Sequence, residues 1–432
     1  MKKISLFIKI LSSIIVLASF ADAAFCSSSP VLEDLIIKAR ENNPLISAAV
    51  ERVNQAEAAV SEAKARMGPK LGAGAAAIWP RDTFIPIEGM PLSFGNVYVV
   101  AAGFVQTVYA GGSLSASREA AKLGRDAAEA EKERITQTVT KSVRTAYYNW
   151  KRACGKESVA SEALALARRH LAMAEKLFSS GLIARGDVLR NKVAVADAEL
   201  GLIRAENAVA ISVSALERAV AVPIELKKAE EGNLAPERDA SAGDLLRDGG
   251  YLEMAYQNRM EIKMYDLMSR RALKIARASE GQLLPQIIAA GAIVNSGNEF
   301  FPSENEEMVM SLMASWTIFD SGEVSAKTRQ AKAQARELVY LIDDMKNTVK
   351  MEVTQAVLNL RSAQSRLNVA ERQVTESEED YRIAVRRYEE QVGTNLDMLD
   401  ARLALAASRN EKIDAVYDIF IAEAELLYSL GM

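Results

Sequence analysis

Proline is absent from this chain between Pro91 and Pro223, and again after Pro302. Two stretches of roughly 130 residues therefore lack the residue that most reliably ends a helix. Within them Ala, Leu and Val recur at three- and four-residue spacing, as in Ala160, Ala163, Leu164, Ala167, Leu171, Ala174 and Leu177. Glu, Lys and Arg fill the other positions, so each helix carries a narrow apolar stripe on a solvated body. Aromatic residues make up only 6% of the chain. The spacing predicts continuous helices over 113–179 and 323–389, each roughly 100 Å long at 1.5 Å per residue. Helices over 32–67, 187–222, 244–279 and 397–430 are each about half that length. A lone pair of such rods would leave its stripes wet, so the rods must pack laterally.

The two proline-free stretches answer each other. Asn42–Ile46 aligns with Asn258–Ile262 and Pro69 with Pro285, at a shift of 216. From Gly112 and Gly322 onward the shift is 210: Asn149 with Asn359, Phe178 with Tyr388, Asp187 with Asp397, Leu216 with Leu426. Pro80, Pro86 and Pro91 mark a longer loop in the first copy. The organisation expected is a leader over 1–23, a first repeat over 24–222, a linker over 223–243 and a second repeat over 244–432.

Each repeat also holds two short segments with period-two alternation, near 70–79 and 97–108, then near 286–294 and 308–318. Met308, Met310, Leu312 and Ala314 alternate with Val309, Ser311, Met313 and Ser315. About ten residues is the length of a tilted membrane strand. Four strands cannot close a barrel, whereas three chains would supply twelve. A soluble four-stranded sheet capping a coiled coil fits the pattern as well.

Lys2, Lys3 and Lys9 precede the apolar run Ile10–Phe20 and the A-x-A site Ala21–Ala23, which reads as a secretory signal. Cys26 admits a lipid anchor, although Phe25 stands where a lipidation signal wants a small residue. Cys154, within a helical pattern, reads as a small apolar packer. With 53 basic and 57 acidic residues interspersed, no basic face points to nucleic acid. One histidine and two cysteines leave nothing for a His-pair or zinc site, and no phosphate loop or nucleophile–base pair stands out. We expect no enzyme, no cofactor and no resident metal.

Two sets of residues carry a resemblance. Val108-Tyr109-Ala110-Gly111-Gly112 recurs as Ile318-Phe319-Asp320-Ser321-Gly322, where strand passes into long helix. Tyr388-Glu389-Glu390-Gln391-Val392-Gly393-Thr394-Asn395-Leu396-Asp397-Met398-Leu399-Asp400-Ala401 breaks the second long helix, and Phe178–Leu189 is its counterpart. With the tandem copies and the leader, the chain resembles a TolC-type outer-membrane efflux protein. The resemblance implies a mainly α fold with membrane β. Four strands per chain would complete a twelve-stranded β-barrel in a homotrimer, above a long antiparallel coiled-coil helical barrel in the periplasm of a Gram-negative-type cell. Such proteins sit in outer-membrane lipid. They act as passive ducts for efflux or type I secretion, with a periplasmic adaptor and an inner-membrane pump as partners. A non-channel periplasmic coiled-coil scaffold, with or without a lipid anchor through Cys26, is the competing reading.

Asp397 and Asp400, three apart, share a helix face, and the resemblance makes them the acidic aperture of the tunnel. Such a ring would raise some of its carboxylate pKa values by mutual repulsion. Ordinary helix N-terminal charge competes with that role. Asp187 and Tyr388 match the family's gate latch, but its arginine position holds Gly393, leaving Arg185 or Arg387 as substitutes. Gly181, Gly186 and Gly393 suit the helix turns where the adaptor docks, while Gln391 stands where glycine is usual. His170 is expected to be an exposed or interface polar residue rather than a ligand. Trp79 and Trp316 fit either an aromatic girdle or core packing, and Tyr147, Tyr148 and Trp150 fit packing between helices.

Overall fold

A computed structural model describes residues 30–79, 97–224, 250–297 and 306–432. The leader, Cys26 and most of the expected linker lie outside them. In chain order the elements are α1 (Pro30–Asn42), α2 (Pro44–Ala65), β1 (Lys70–Ile78), β2 (Val97–Ala110), α3 (Ser113–Ser179), α4 (Arg185–Val220), α5 (Tyr251–Asn258), α6 (Met260–Glu280), a 3₁₀ turn (Gly281–Leu283), β3 (Gln286–Gly297), β4 (Glu306–Ser315), α7 (Glu323–Glu389) and α8 (Asn395–Ser429). The two long helices have 67 residues each, over the spans the apolar spacing predicts. No helix among the described residues is long and apolar enough to cross a membrane. The chain divides into two compact units.

One unit takes in the described parts of Met1–Ala48, Glu133–Met260 and Lys346–Met432. Its core gathers Leu32, Leu35, Ile36, Ala39 and Ile46 against Val139, Val143, Tyr147 and Trp150 of α3, with Leu216 and Val220 of α4. Full burial of each of the larger side chains stabilises by about 1.5–3 kcal/mol. Tyr148 stacks on Phe420 at 5.2 Å between α3 and α8. Cys154 packs half-buried against this core. Charged groups tie the same helices: Arg152 reaches Asp418 at 2.8 Å, Lys156 reaches Asp414 at 2.8 Å, and Arg366 of α7 reaches Asp418 at 3.0 Å.

Two helices expected to be continuous are broken in this unit. The 32–67 helix stops at Asn43 because Pro44 disfavours helical backbone at the residue before it. Pro44 then serves as the first residue of α2, where its missing N–H is harmless. Asn43 caps the new helix, its Oδ1 accepting from the Leu45 amide at 2.9 Å, while its Nδ2 donates to the Ala219 carbonyl at 2.9 Å. The 244–279 helix breaks likewise at Arg259, whose backbone is extended (φ −68°, ψ 116°). That guanidinium is buried, pairs with Glu352 and lies 5.2 Å from the Tyr428 ring centroid. A methyl on Gly431 would sit 2.8 Å from the Asn258 carbonyl oxygen. In both places the left-handed residue just past a helix end (Ala221, φ 63°; Gly431, φ 78°) belongs to a segment lodged against such a break.

The other unit, Ala49–Lys132 and Glu261–Met345, contains a four-stranded antiparallel sheet in the order β1-β2-β3-β4. Its middle pair approaches closely: a side chain on Gly103 would meet the Gly291 carbonyl oxygen at 2.5 Å, and one on Gly291 would meet the Phe104 ring at 2.6 Å. A bulge at Thr107/Tyr109 re-registers β2 on β3 just before α3 begins. There Gly111 (φ 60°) crosses so close to Gly281 that a methyl would overlap the Gly281 carbonyl. β4 ends at Ser315, short of the expected 318. Asp320 turns the chain instead, its carboxylate accepting from the Gly322 and Val324 amides at 2.9 and 2.8 Å. All ten residues of β4 are exposed, including Met308, Met310, Leu312 and Met313.

Candidate functional site

The two turns between helices have the same build. After α3, Leu182 donates to the Leu177 carbonyl at 3.0 Å; after α7, Val392 donates to Arg387 at 2.9 Å. Each bond spans five residues and closes a Schellman-type cap around one left-handed residue. That residue is Gly181 (φ 76°) in the first turn and Gln391 (φ 61°) in the second. A side chain pays for this conformation and glycine does not. Gly393 serves a different need, since a methyl there would come within 2.9 Å of the Arg387 Cβ. Gly186 lies in the first turn of α4 with open space around it.

The helices that leave the turns begin differently. Thr394 caps α8: its hydroxyl accepts from the Asp397 amide, and the Asp397 carboxylate accepts from the Thr394 amide, both at 3.1 Å. This reciprocal pair is a capping box. Ala184 holds the corresponding place on α4 and offers no side-chain acceptor. The Thr394 hydroxyl, its backbone N–H and the nearby Arg387 charge hold the Asp397 carboxyl below its ordinary range. In this chain Asp397 therefore performs helix N-terminal work, which holds its carboxyl in the charged form. Asp397 and Asp400 nonetheless line one cleft of about 420 Å³, with Asp380, Arg387 and Gly393 also on its wall.

The expected latch bond is not made. The Tyr388 hydroxyl is buried with no hydrogen-bond partner, and Asp187 accepts from Arg190 at 2.7 Å. Burial, and then the Asp187 charge, raise the Tyr388 pKa, so the two are neighbours without being bonded. Arg387 is drawn toward Asp397 electrostatically, on its own side of the turn.

Two buried polar contacts that sequence reading missed join the helices instead. Asn191 of α4 donates to Asn395 of α8 at 2.9 Å. His170 of α3 lies 2.6 Å from the Tyr381 hydroxyl of α7. His170 is thus not exposed: it is 5% exposed, and burial plus the Arg402 and Arg169 charges push its pKa down to about 4. Its position on the otherwise apolar stripe between Ala167 and Ala174 was the available signal. Asn395, hidden in a polar turn segment, offered none.

At the strand ends, Trp79 packs edge-on against Tyr98 at 6.3 Å, and Trp316 donates from its indole N–H to the Leu283 carbonyl at 2.9 Å. Both rings remain exposed, whereas Tyr147 and Trp150 are buried between helices. Among the described residues no group of three or more His, Cys, Asp or Glu side chains is placed to hold a metal.

Comparison with known proteins adds the following. The family model described as outer membrane efflux protein matches residues 35–222 and 251–432. The chain is 25% identical over 276 residues to the alkaline protease secretion protein AprF of Pseudomonas aeruginosa, an alignment covering 61% of this chain and 55% of that one. It is 26% identical over 327 residues to protein CyaE of Bordetella pertussis, covering 73% of this chain and 66% of that one. The chain thus spans from about half to just under two thirds of these relatives' own length. The crystal structure of the outer membrane protein VceC of Vibrio cholerae superposes with a TM-score of 0.77 at 21% identity, covering 93% of this chain and 96% of that one. At that identity the likeness is one of fold.

Proposed function

The chain belongs to the outer membrane efflux protein family, and we propose that it is the outer-membrane duct of a tripartite efflux or type I secretion system. The observation that carries this reading is the sheet. It has four strands of about the length a tilted membrane strand needs, apolar side chains exposed along β4, and two open edges, β1 and β4. An open edge is not tolerated in lipid. Pairing β4 of one chain with β1 of the next in a homotrimer would remove every edge and give a twelve-stranded barrel. The long helices would then form the periplasmic tunnel, with the two copies of the chain contributing equivalent helices.

The duct carries no chemistry of its own. Export would be driven by an inner-membrane pump, with an adaptor docking at the turns that contain Gly181, Gly186 and Gly393. Around a threefold axis, Asp397 and Asp400 would present six carboxylates at the narrow end, and their common cleft wall supports that placement. The capping box does not compete with it, because a box oxygen can remain charged and exposed. The secretion role in the name of AprF supports protein cargo as one possibility for such a duct, beside small molecules.

The test is extraction followed by mass determination. A barrel stays in the outer-membrane fraction until detergent is added and then sediments as three chains of about 47 kDa less the leader. Release by salt or alkali would instead support a scaffold without an anchor, and monomeric particles in mild detergent a lipid-anchored one.

A further inference from the structure

Arg402 is a charge that the fold buries without giving it a counter-ion. It lies on the face of α8 that carries Met398, Ala401 and Leu405, it is 6% exposed, and its Nη1 is buried with no hydrogen-bond partner. A guanidinium does not shed its proton to escape such a site, and a buried charge without a partner is strongly unfavourable. The acids within electrostatic reach of the cluster are Asp197 on α4 and Glu162 on α3. Asp197 is exposed and forms no ion pair with Arg402, and Glu162 is held by Arg409 at 2.6 Å.

His170 adds a second donor to the same cluster. Its Nε2 is engaged with the Tyr381 hydroxyl at 2.6 Å, and its Nδ1 is buried without a partner. The ring is neutral near pH 7, since burial and the charges of Arg402 and Arg169 disfavour the imidazolium. A neutral imidazole has one N–H. When Tyr381 donates to Nε2, that N–H is on Nδ1, where the protein supplies no acceptor. With Tyr381 as the donor to Nε2, the cluster combines an uncompensated positive charge with N–H groups from two helices and no bonded acid.

We propose that His170, Tyr381 and Arg402 form a binding site for a small monovalent inorganic anion of the halide class, held by the Nη1–H of Arg402 and the Nδ1–H of His170. Such an ion only accepts hydrogen bonds, so it satisfies both donors and leaves the Tyr381–His170 bond intact. It also cancels the guanidinium charge, which a water molecule in the same place cannot do. The burial of all the donors selects a water-sized ion over a carboxylate-bearing cargo. Bound there, the ion would tie α3 and α8 together, with α7 joined through Tyr381. This inference does not depend on the duct reading.

His170 is the sole histidine of the chain, so ring-labelled histidine gives one imidazole to follow by NMR in the full-length protein in detergent. Sodium chloride is titrated in place of sodium gluconate at constant ionic strength and pH 7. The imidazole signals should move saturably with chloride, Tm should rise along the same curve, and Arg402→Gln should lose both responses. His170→Gln should weaken the chloride dependence of Tm several-fold. Wild-type signals that ignore chloride would overturn the site and leave an Arg402–Asp197 pairing as the neutralising contact. So would a response identical in gluconate, or one that survives in full in Arg402→Gln. The wild-type titration decides the matter even where a variant fails to fold.

Discussion

Asn191 of α4 donates its side-chain amide to the Oδ1 of Asn395 at the start of α8 at 2.9 Å, and the two residues are only 1% and 4% exposed. The same Asn191 amide also donates to the Asp187 carbonyl at 2.9 Å. A buried amide pair therefore joins the helices that leave the two turns, close to where the Asp187–Tyr388 bond was expected. Replacing Asn191 by Leu strands the Asn395 carbonyl oxygen and should lower stability by about 1–3 kcal/mol. Replacing both by Leu should recover much of that loss. Thermal unfolding of the two single variants and the double variant in detergent reads the coupling directly.

The turn helices offer a paired experiment on capping. Thr394→Ala removes the hydroxyl that receives the Asp397 amide and should cost about 1 kcal/mol. Ala184→Thr places a hydroxyl three residues before Asp187 and should stabilise α4 by a comparable amount. Opposite shifts in Tm check both; equal shifts in one direction would contradict the box geometry.

Asp397 sets an acid limit on that cap. Its folded pKa lies below the ordinary carboxylate value, so its contribution is present above about pH 4. It is lost as the pH falls through the depressed value. Asp397→Asn should lower Tm at pH 7 and flatten the fall in Tm below pH 4, the two proteins converging at low pH. The same steepness in wild type and variant would contradict this role.

His170 adds a loss of the same sign in a higher pH window. Its folded pKa of about 4 lies below its unfolded value near 6.5, so the unfolded chain binds more protons between those limits. Stability then falls on acidification from about pH 6.5 to pH 4 and levels off below, by at most about 3 kcal/mol. In chloride-free buffer His170→Gln should lose this slope, read as Tm against pH.

Both long helices were legible from the apolar spacing within the proline-free spans, because little local opposes a helix once prolines and glycine pairs are gone. The interruptions at Asn43 and Arg259 were harder to see. Pro44 signals its break, but Arg259 has no proline after it and is held by tertiary contacts with Glu352 and Tyr428. The site was legible where chemistry is local: Asp397 and Asp400 line one cleft as their spacing suggests. It was illegible where partners lie some 200 residues apart, as for His170 with Tyr381 and Asn191 with Asn395. Spacing placed the two carboxylates on one face, whereas the roles of the amides depend on which helices become neighbours.

Gln391 shows a local departure that the sequence does reveal. It occupies the left-handed position that Gly181 fills in the other turn, so Gln391→Gly should stabilise by about 0.5–1 kcal/mol. Gly181→Ala should destabilise by a similar amount. Tm in detergent checks the pair.

Single-channel conductance of the detergent-purified protein in a planar bilayer tests the central claim most directly. Wild type should form a small cation-selective pore that divalent cations block from the narrow end. Asp397→Ala/Asp400→Ala should enlarge the pore and weaken that block. A pore indifferent to the substitutions would remove the aperture assignment, and the absence of any pore from well-folded trimers would contradict the duct itself.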